Sequence, residues 1–411
     1  MDREMNHPIE PNIGMTSPER RAIAALTVVF SVRMFGLFMI LPVFTLYAED
    51  RYTGYTATLA GLAIGIYGLT QALLQIPFGM LSDHLGRKPV IITGLIIFTL
   101  GGVIAALSDS MLGVILGRAL QGAGAVAAAI MALMSDLTRE EQHTKAMAIF
   151  GASIGMTFLL ALIAGPAIGH LVGLSGLFQI TAALGLAGIV VLHFSVPEPA
   201  AIHFHQDTEA SPAQFSDVLR NRQLLRLDIG IFILHFILVA GWIVLPPTLR
   251  DTGVAAPDHW KIYVLVLLAS VVLMVPFIIA SGKYRHVEPV FIGAVLALGG
   301  CQLGLFNYHE NLVFIVAMMV VLFTAFNILE ANLPSLVART TPPEKKGTAL
   351  GVYSTSQFLG AFAGGLTGGW LMDEIGTQAV FAFCAAMAAI WFLVASTMKN
   401  PRSGQGSPPH R

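Results

Sequence analysis

The stretch Gly79-Met80-Leu81-Ser82-Asp83-His84-Leu85-Gly86-Arg87-Lys88 lies between two long apolar runs and holds an acid, two strong bases and two glycines in ten residues. Turns between membrane helices are usually polar, so a connector is the first reading. The spacing G-x-L-S-D-x-x-G-R-K is more specific than a connector needs. The chain around it is poor in charge: 55% of 411 residues are hydrophobic and 11% charged, with mean hydropathy +0.74. A soluble domain carries about 25% charged residues. Here the charges cluster, and the apolar runs between them are long enough for a bilayer core of about 30 Å. The composition therefore excludes a soluble globular class and points to a polytopic membrane protein.

Outward from that stretch, twelve helical spans are predicted at 23–47, 57–80, 89–107, 111–135, 146–170, 175–196, 223–249, 260–281, 289–307, 312–337, 347–372 and 378–397. Helices are expected because lipid offers no partner for free backbone groups and the runs lack the two-residue alternation of barrel strands. Of the 23 Lys and Arg residues, 18 fall in the tails or at the loops after spans 2, 4, 6, 8 and 10. Arg51, Arg250 and Lys261 fall on the other side, and Arg33 and Arg118 within spans. That bias predicts cytoplasmic termini and places Trp242, Trp260 and Trp370 near the outer interface. Residues 1–21 lack the basic-then-apolar order of a cleavable signal. Cys301 and Cys384 lie inside apolar runs and read as small buried hydrophobes.

The expected organisation is a cytoplasmic tail at 1–21, a six-helix half at 22–196, a linker at 197–222, a second six-helix half at 223–397 and a cytoplasmic tail at 398–411. In the linker, Phe215, Val218 and Leu219 recur at helical spacing beside Arg220 and Arg222, which predicts a short helix on the cytoplasmic membrane face. The halves read as a worn repeat. Pro77-Phe78 and Pro89 match Pro276-Phe277 and Pro289; Ser135, Arg139 and Lys145 match Ser335, Arg339 and Lys345; Gly165 and Gly169 match Gly365 and Gly369. The offset is near 200 residues each time. Two facing halves with a site between them near the midplane is a transporter plan.

Ionisable residues inside a bilayer are functional candidates by default. Arg33 falls in span 1, Arg118 in span 4, His235 in span 7 and Glu330 in span 10. No acid lies in the middle of spans 1 to 6, so the two arginines need carbonyls, water, an acid across the interface or an anionic ligand. Glu330 reads either as a proton carrier, coupled to His235, or as a fixed bond to span 1 or 4. His235 also reads as a satisfied buried imidazole, and Arg33 as a side chain snorkelling toward the inner surface. Span 5 carries Gly151, Gly155, Gly165-Pro166 and Gly169. Glycine permits close helix approach, and proline removes one backbone bond. The motif reads as plain packing or as a bend that seals one half against the other.

Two patterns are discounted. His203-Phe204-His205 has no acid or cysteine at ligand spacing, so no metal site is expected. Gly122-Ala123-Gly124 lacks the Gly-Lys-Ser/Thr of a phosphate loop. No nucleophile–base constellation stands out, so an enzyme is not expected.

With these residues in view, the stretch at 79–88 resembles the loop signature of the major facilitator superfamily. Arg118-x-x-Gln121-Gly122 and Gly165-Pro166-x-x-Gly169 resemble further motifs of that family, the latter associated with proton-driven antiporters. The segments at 33–42, 64–72, 135–140 and 351–360 are similar to those of its YajR-type inner-membrane branch. The resemblance implies an all-α membrane protein with twelve helices in two pseudo-symmetric halves, in a bacterial cytoplasmic membrane. It implies an antiporter exporting an unidentified small solute, such as a drug-like compound. That branch carries a small soluble α/β domain after the last helix; none is expected before the chain's end at Arg411.

The resemblance also implies a latch of Gly79, Asp83, Gly86, Arg87, Lys88 and Asp136. Asp83 is expected near the start of span 11 at about Gly347, where the free N–H groups of a helix start favour an anion. Arg87 is expected to hold Asp83 and Asp136 together and so latch the outward-open state. The central cavity is expected to be lined by spans 1, 4, 7 and 10, with Arg33, Arg118, Gln121, His235, Asn327, Glu330 and Gln357 as substrate or proton-pathway residues. No cofactor is expected, the drive being the proton gradient. The expected partners are membrane lipid and a small-molecule solute, not nucleic acid, and the functional unit is a monomer. Uptake or facilitated diffusion of an anion, or a sensor that kept the fold and lost transport, are the alternatives.

Overall fold

The structure, a computed structural model, describes residues 14–198, 214–283 and 287–398. His203 and His205 and most of both tails lie outside the described residues. The described chain is helical almost throughout: α1 Ser17–Ile40, α2 Phe44–Arg51, α3 Ala57–Leu85, α4 Arg87–Leu107, α5 Met111–Ala123, α6 Ala127–Asp136, α7 Glu140–Ser195, α8 Phe215–Arg220, α9 Arg222–Asp251, α10 His259–Lys283, α11 Val287–Tyr308, α12 Leu312–Thr340, α13 Lys346–Glu374 and α14 Thr377–Ala395. Polar caps start many of them. Thr16 forms a capping box with Glu19, and Thr56, Ser110, Asn221 and Asn311 each accept from a first-turn N–H. These caps satisfy donors that a helix start leaves free.

Among the described residues ten segments are long and apolar enough to cross a membrane: nine of these helices, and α5 with α6 taken together. The 56-residue α7 covers predicted spans 5 and 6. Gly173, at φ 65°, breaks it there, in a conformation that glycine adopts without a Cβ clash. Predicted span 1 is divided between α1 and α2, with Pro42 in the junction, where its ring cannot continue a regular helix. Predicted span 4 is divided between α5 and α6 at residues 124–126. The breaks at Pro42 and at residues 124–126 fall where the sequence predicts continuous helix, because apolarity persists across them, whereas the break at Gly173 falls between predicted spans 5 and 6.

Predicted span 11 coincides with α13, which is not among the ten. Its low apolarity has a packing cause. A Cβ on Gly360 or Gly364 would lie 2.1 or 2.2 Å from the carbonyl oxygens of Phe232 and Phe236 on α9. On its other side, a Cβ on Gly369 would lie 2.2 Å from the Ala57 carbonyl of α3, and one on Gly61 would lie 2.0 Å from the Gly365 carbonyl. α13 is thus a glycine-faced slab between α9 and α3. Small residues let backbones meet where lipid gives no hydrophobic drive for helices to associate.

Helices α1–α7 pack mainly among themselves, as do α9–α14, and α3 against α13 is the principal contact between the two groups. The ties between groups concentrate at the end of the bundle away from the chain termini. There Asp373 binds Ala57 and Thr58, and Arg250 binds Glu49 at 2.8 Å. Deeper along α3, Gln75 donates to Thr355 Oγ1 at 3.1 Å and to the Gly351 carbonyl at 3.4 Å. Trp242 is buried against Tyr263 and Phe323 rather than facing an interface, which corrects its expected placement. Trp370 is half exposed. Cys301 and Cys384 are free and buried, as their apolar context implies.

Candidate transport site

Two polar groups are built into the apolar bundle, one in each half. In the first, Arg33 of α1 donates from Nη2 to Gln71 Oε1 of α3 at 2.7 Å. Arg118 of α5 donates from Nε to the Ala63 carbonyl at 3.3 Å and from Nη1 to Gln121 Oε1 at 3.0 Å. The ring of Tyr67 is shared, with its centroid 5.7 Å from the Arg33 guanidinium carbon and 5.0 Å from that of Arg118. Phe98 offers Arg33 a second face at 5.5 Å. Gly122, one turn past Arg118, is why α5 can come this close: a Cβ there would lie 2.2 Å from the Tyr67 carbonyl. Arg33, Arg118, Gln71 and Gln121 all have zero exposure. Arg33 does not snorkel.

Two buried guanidinium charges without an acid are costly. Desolvating an ion costs several kcal/mol even after relaxation, and a desolvated cation–π contact returns only about 2 kcal/mol. The group is therefore electropositive and incompletely compensated.

The second group is on α9, α12 and α13. Gln357 Nε2 donates to Glu330 Oε1 at 3.3 Å and lies 2.8 Å from His235 Nε2. His235 Nδ1 lies 3.3 Å from the Ile231 carbonyl. A carbonyl only accepts, so Nδ1 carries the proton and Nε2 accepts from Gln357. Glu330 Oε2 is buried with no partner. Phe326 stands edge-on to His235, with centroids 5.8 Å apart, and stacks on Phe158 of α7 at 6.1 Å. Phe158 in turn meets Phe38 of α1 edge-on at 5.0 Å. An aromatic chain thus crosses between the halves beside the carboxyl.

Of the predicted residues, Arg33, Arg118 and Gln121 come together in one half, and His235, Glu330 and Gln357 in the other. Asn327 does not join them: its amide donates to Ser270 Oγ of α10 at 3.2 Å. Sequence reading passed over Tyr67 and Gln71, which organise the arginines, because one aromatic and one amide in an apolar span look ordinary. It also passed over Tyr353, which lies within electrostatic range of both Glu330 and Asp228. Asp228 is a buried acid about two turns from His235 on α9. An acid within a predicted span was the available signal there.

The loop at 79–88 forms its expected internal contacts. The fully buried Arg87 binds Asp83, Ser82 Oγ at 2.9 Å and Asp136 at 3.1 Å, joining α3, α4 and α6. Lys88 pairs with Glu198 at 3.1 Å. A Cβ on Gly79 would lie 3.3 Å from that of Ala128, and Gly86 takes φ 93° between α3 and α4. The start of α13 is held by α8: Thr348 donates to Gln214 at 3.2 Å and Lys345 to Asp217 at 2.8 Å. The hydrogen bond from Lys345 holds the Asp217 carboxyl below its ordinary range. Val218 is buried and Leu219 exposed, so α8 seats one face on the bundle.

In α7, Gly165 meets α1: a Cβ there would lie 2.2 Å from the Met39 carbonyl and 3.0 Å from the Pro42 ring. Gly169 abuts Leu177 and Tyr47. This part of the motif packs within one half. Gly151 and Gly155 have open space where a Cβ would be, so they mediate no close approach in this conformation.

A family model described as Major Facilitator Superfamily matches residues 26–282 and 227–411. The chain belongs to the major facilitator superfamily. It is 48% identical over 387 residues to the inner membrane transport protein YajR of Escherichia coli (strain K12), covering 94% of this chain and 85% of that protein. It is 28% identical over 241 residues to the multidrug resistance protein MdtM of Escherichia coli O157:H7, covering 57% and 58%. Among solved structures, a bacterial homologue of the human lysosomal transporter Spinster, described as inward-facing and occupied, has TM-score 0.74 at 15% identity, covering 94% of this chain and 98% of that one. That likeness bears on the fold. The facilitator fold, the multi-pass inner-membrane setting and the YajR-type relationship follow from these matches.

Proposed function

We propose that this chain is a proton-coupled exporter of a small solute, working by alternating access across twelve spans with both termini in the cytoplasm. The observation that carries this is Glu330, a buried carboxyl with one oxygen unpartnered, tied through Gln357 to a neutral histidine at the junction of the halves. A carboxyl so placed can take a proton from one side and yield it to the other as the halves rock. The inter-half ties at Asp373, Arg250 and Gln75 support a state closed on the outer side. Drug-like solutes are the favoured class, supported by the relative named for multidrug resistance. No cofactor enters this reading, and the functional unit is a monomer.

A second reading, movement of an anionic solute, is favoured by the two uncompensated arginines. The test is flux in proteoliposomes under an imposed pH gradient, with a ligand first found by thermal shift, since binding the folded state raises its stability. Uphill movement driven by the gradient in the native chain, lost in Glu330→Gln, supports proton-coupled export. Flux indifferent to the gradient supports the anion reading.

A further inference from the structure

Around Tyr67 the amide and carbonyl oxygens near the arginines are engaged, and the oxygen left over is the Tyr67 hydroxyl, a phenol beside Arg33 that carries no formal negative charge. Gln71 Oε1 accepts from Arg33, and Gln121 Oε1 and the Ala63 carbonyl accept from Arg118. Apart from that hydroxyl, what remains is donors: Nε and Nη1 of Arg33, Nη2 of Arg118, Nε2 of Gln71 and Nε2 of Gln121, all buried and without an assigned hydrogen bond. Their four side chains have zero exposure. Beyond these oxygens, which carry no formal charge, the guanidinium groups face the rings of Tyr67 and Phe98. Lone donors can be met by water, but two net positive charges in a low-dielectric interior call for a negative partner. Glutamines that spend their oxygens on arginines and keep their N–H groups free extend the same polarity.

We propose that the Arg33–Tyr67–Arg118 cluster is a binding site for one small monovalent anion, an inorganic halide or a carboxylate group, held between α1, α3 and α5 by guanidinium and amide N–H donors. The anion neutralises the first half independently of which solute crosses and of whether protons drive it. It acts as a resident counter-ion for a charge pair that the chain itself leaves open.

The experiment is thermal unfolding of the purified full chain in a bulky sulfonate salt (HEPES) at fixed ionic strength, titrated with chloride, bromide or acetate. The site predicts a saturable rise in midpoint of roughly 3–8 °C for the native chain. Equal potency of acetate assigns a carboxylate group, and halide potency alone assigns a spherical ion. Gln121→Glu supplies an internal negative charge beside Arg118. It should unfold at a higher temperature than the native chain in the sulfonate salt alone and lose the dependence on added anion. Arg118→Gln should flatten the titration as well; if it does not fold, the Gln121→Glu arm stands alone. A native midpoint indifferent to all three anions overturns the proposal. So does an unchanged anion response in Gln121→Glu, which would place the binding elsewhere.

Discussion

Asp373 closes the end of the bundle away from the chain termini, the outer end in the proposed topology, onto Thr58: its Oδ2 accepts from the Thr58 backbone N–H at 2.7 Å and hydroxyl at 2.5 Å, while Oδ1 takes the Ala57 N–H at 2.8 Å. The last residues of α13 thereby cap the first turn of α3, across the two halves. A carboxylate at a helix start meets free donors and the positive end of the helix dipole. The bond can exist only while that end of the bundle is shut.

Replacing Asp373 by Ala should therefore shift the population toward outward-open. Loss of a helix-start cap costs about 1 kcal/mol, or roughly fivefold in the ratio of states. Distance measurements between spin labels on the outer loops check this. Asp373 lies one residue past the predicted 347–372 span. Partial burial works against its ionisation, but the hydrogen bonds from Thr58, Ala57 and Thr56 outweigh it and hold the carboxyl below its ordinary 3.8. With a depressed value in the closed state, the contribution is present above about 3.8 and lost as pH falls through the lower value. Acidifying the outer side to that range should open it, and the Ala variant should lack this response.

Gly61 faces the Gly365 carbonyl across the same seam, with 2.0 Å available to a Cβ. Gly61→Val should push α3 from α13 and destabilise the closed outer side by about 1–3 kcal/mol, the usual cost of overpacking. Gly151→Ala is the control, since open space surrounds that position; its unfolding midpoint should move within about 0.5 kcal/mol of the native value.

Gln357 joins Glu330 to His235 through one amide nitrogen. Gln357→Leu removes both donations, and a hydrogen bond to a charged group is worth about 1.5–3 kcal/mol. Transport at a fixed pH gradient should fall at least about tenfold, with ligand binding at neutral pH less affected. Equal losses in both would make Gln357 a ligand contact rather than a link to the carboxyl.

Asp83→Asn weakens one arm of the Arg87 group, while the Arg87–Asp136 bond at 3.1 Å remains. The start of α13 is held by α8 in this conformation, so the variant should leave the outer-closed state intact. It should lower the outward-open population and slow transport, where a contact between Asp83 and α13 would form. Unchanged outward-open populations by spin-label distances would remove the latch from the account.

The fold was readable because lipid forbids most alternatives: charge clusters, apolar lengths and the Gly79–Lys88 loop leave a helical bundle as the consistent solution. Arg33, Arg118, His235 and Glu330 were readable for the same reason, as ionisable groups in apolar runs. Their partners were harder. Tyr67 and Gln71 matter only because α3 is pressed against α1 and α5, and that adjacency is tertiary. Asn327 looked equivalent to its neighbours on α12, but Ser270 on α10 captures it. Asp373 resembled an ordinary loop acid, since nothing local says that the start of α3 will lie beside it. The breaks at 41–43 and 124–126 stayed hidden because the apolar pattern runs through them.

The central claim is that Glu330 exchanges a proton with solute. The most direct measurement is the pH change in a weakly buffered solution of purified protein on adding a ligand confirmed to be transported. The native chain is predicted to release protons in a saturable way that follows ligand occupancy, and Glu330→Gln to bind the ligand and release none. Proton release from Glu330→Gln equal to that of the native chain would contradict the account.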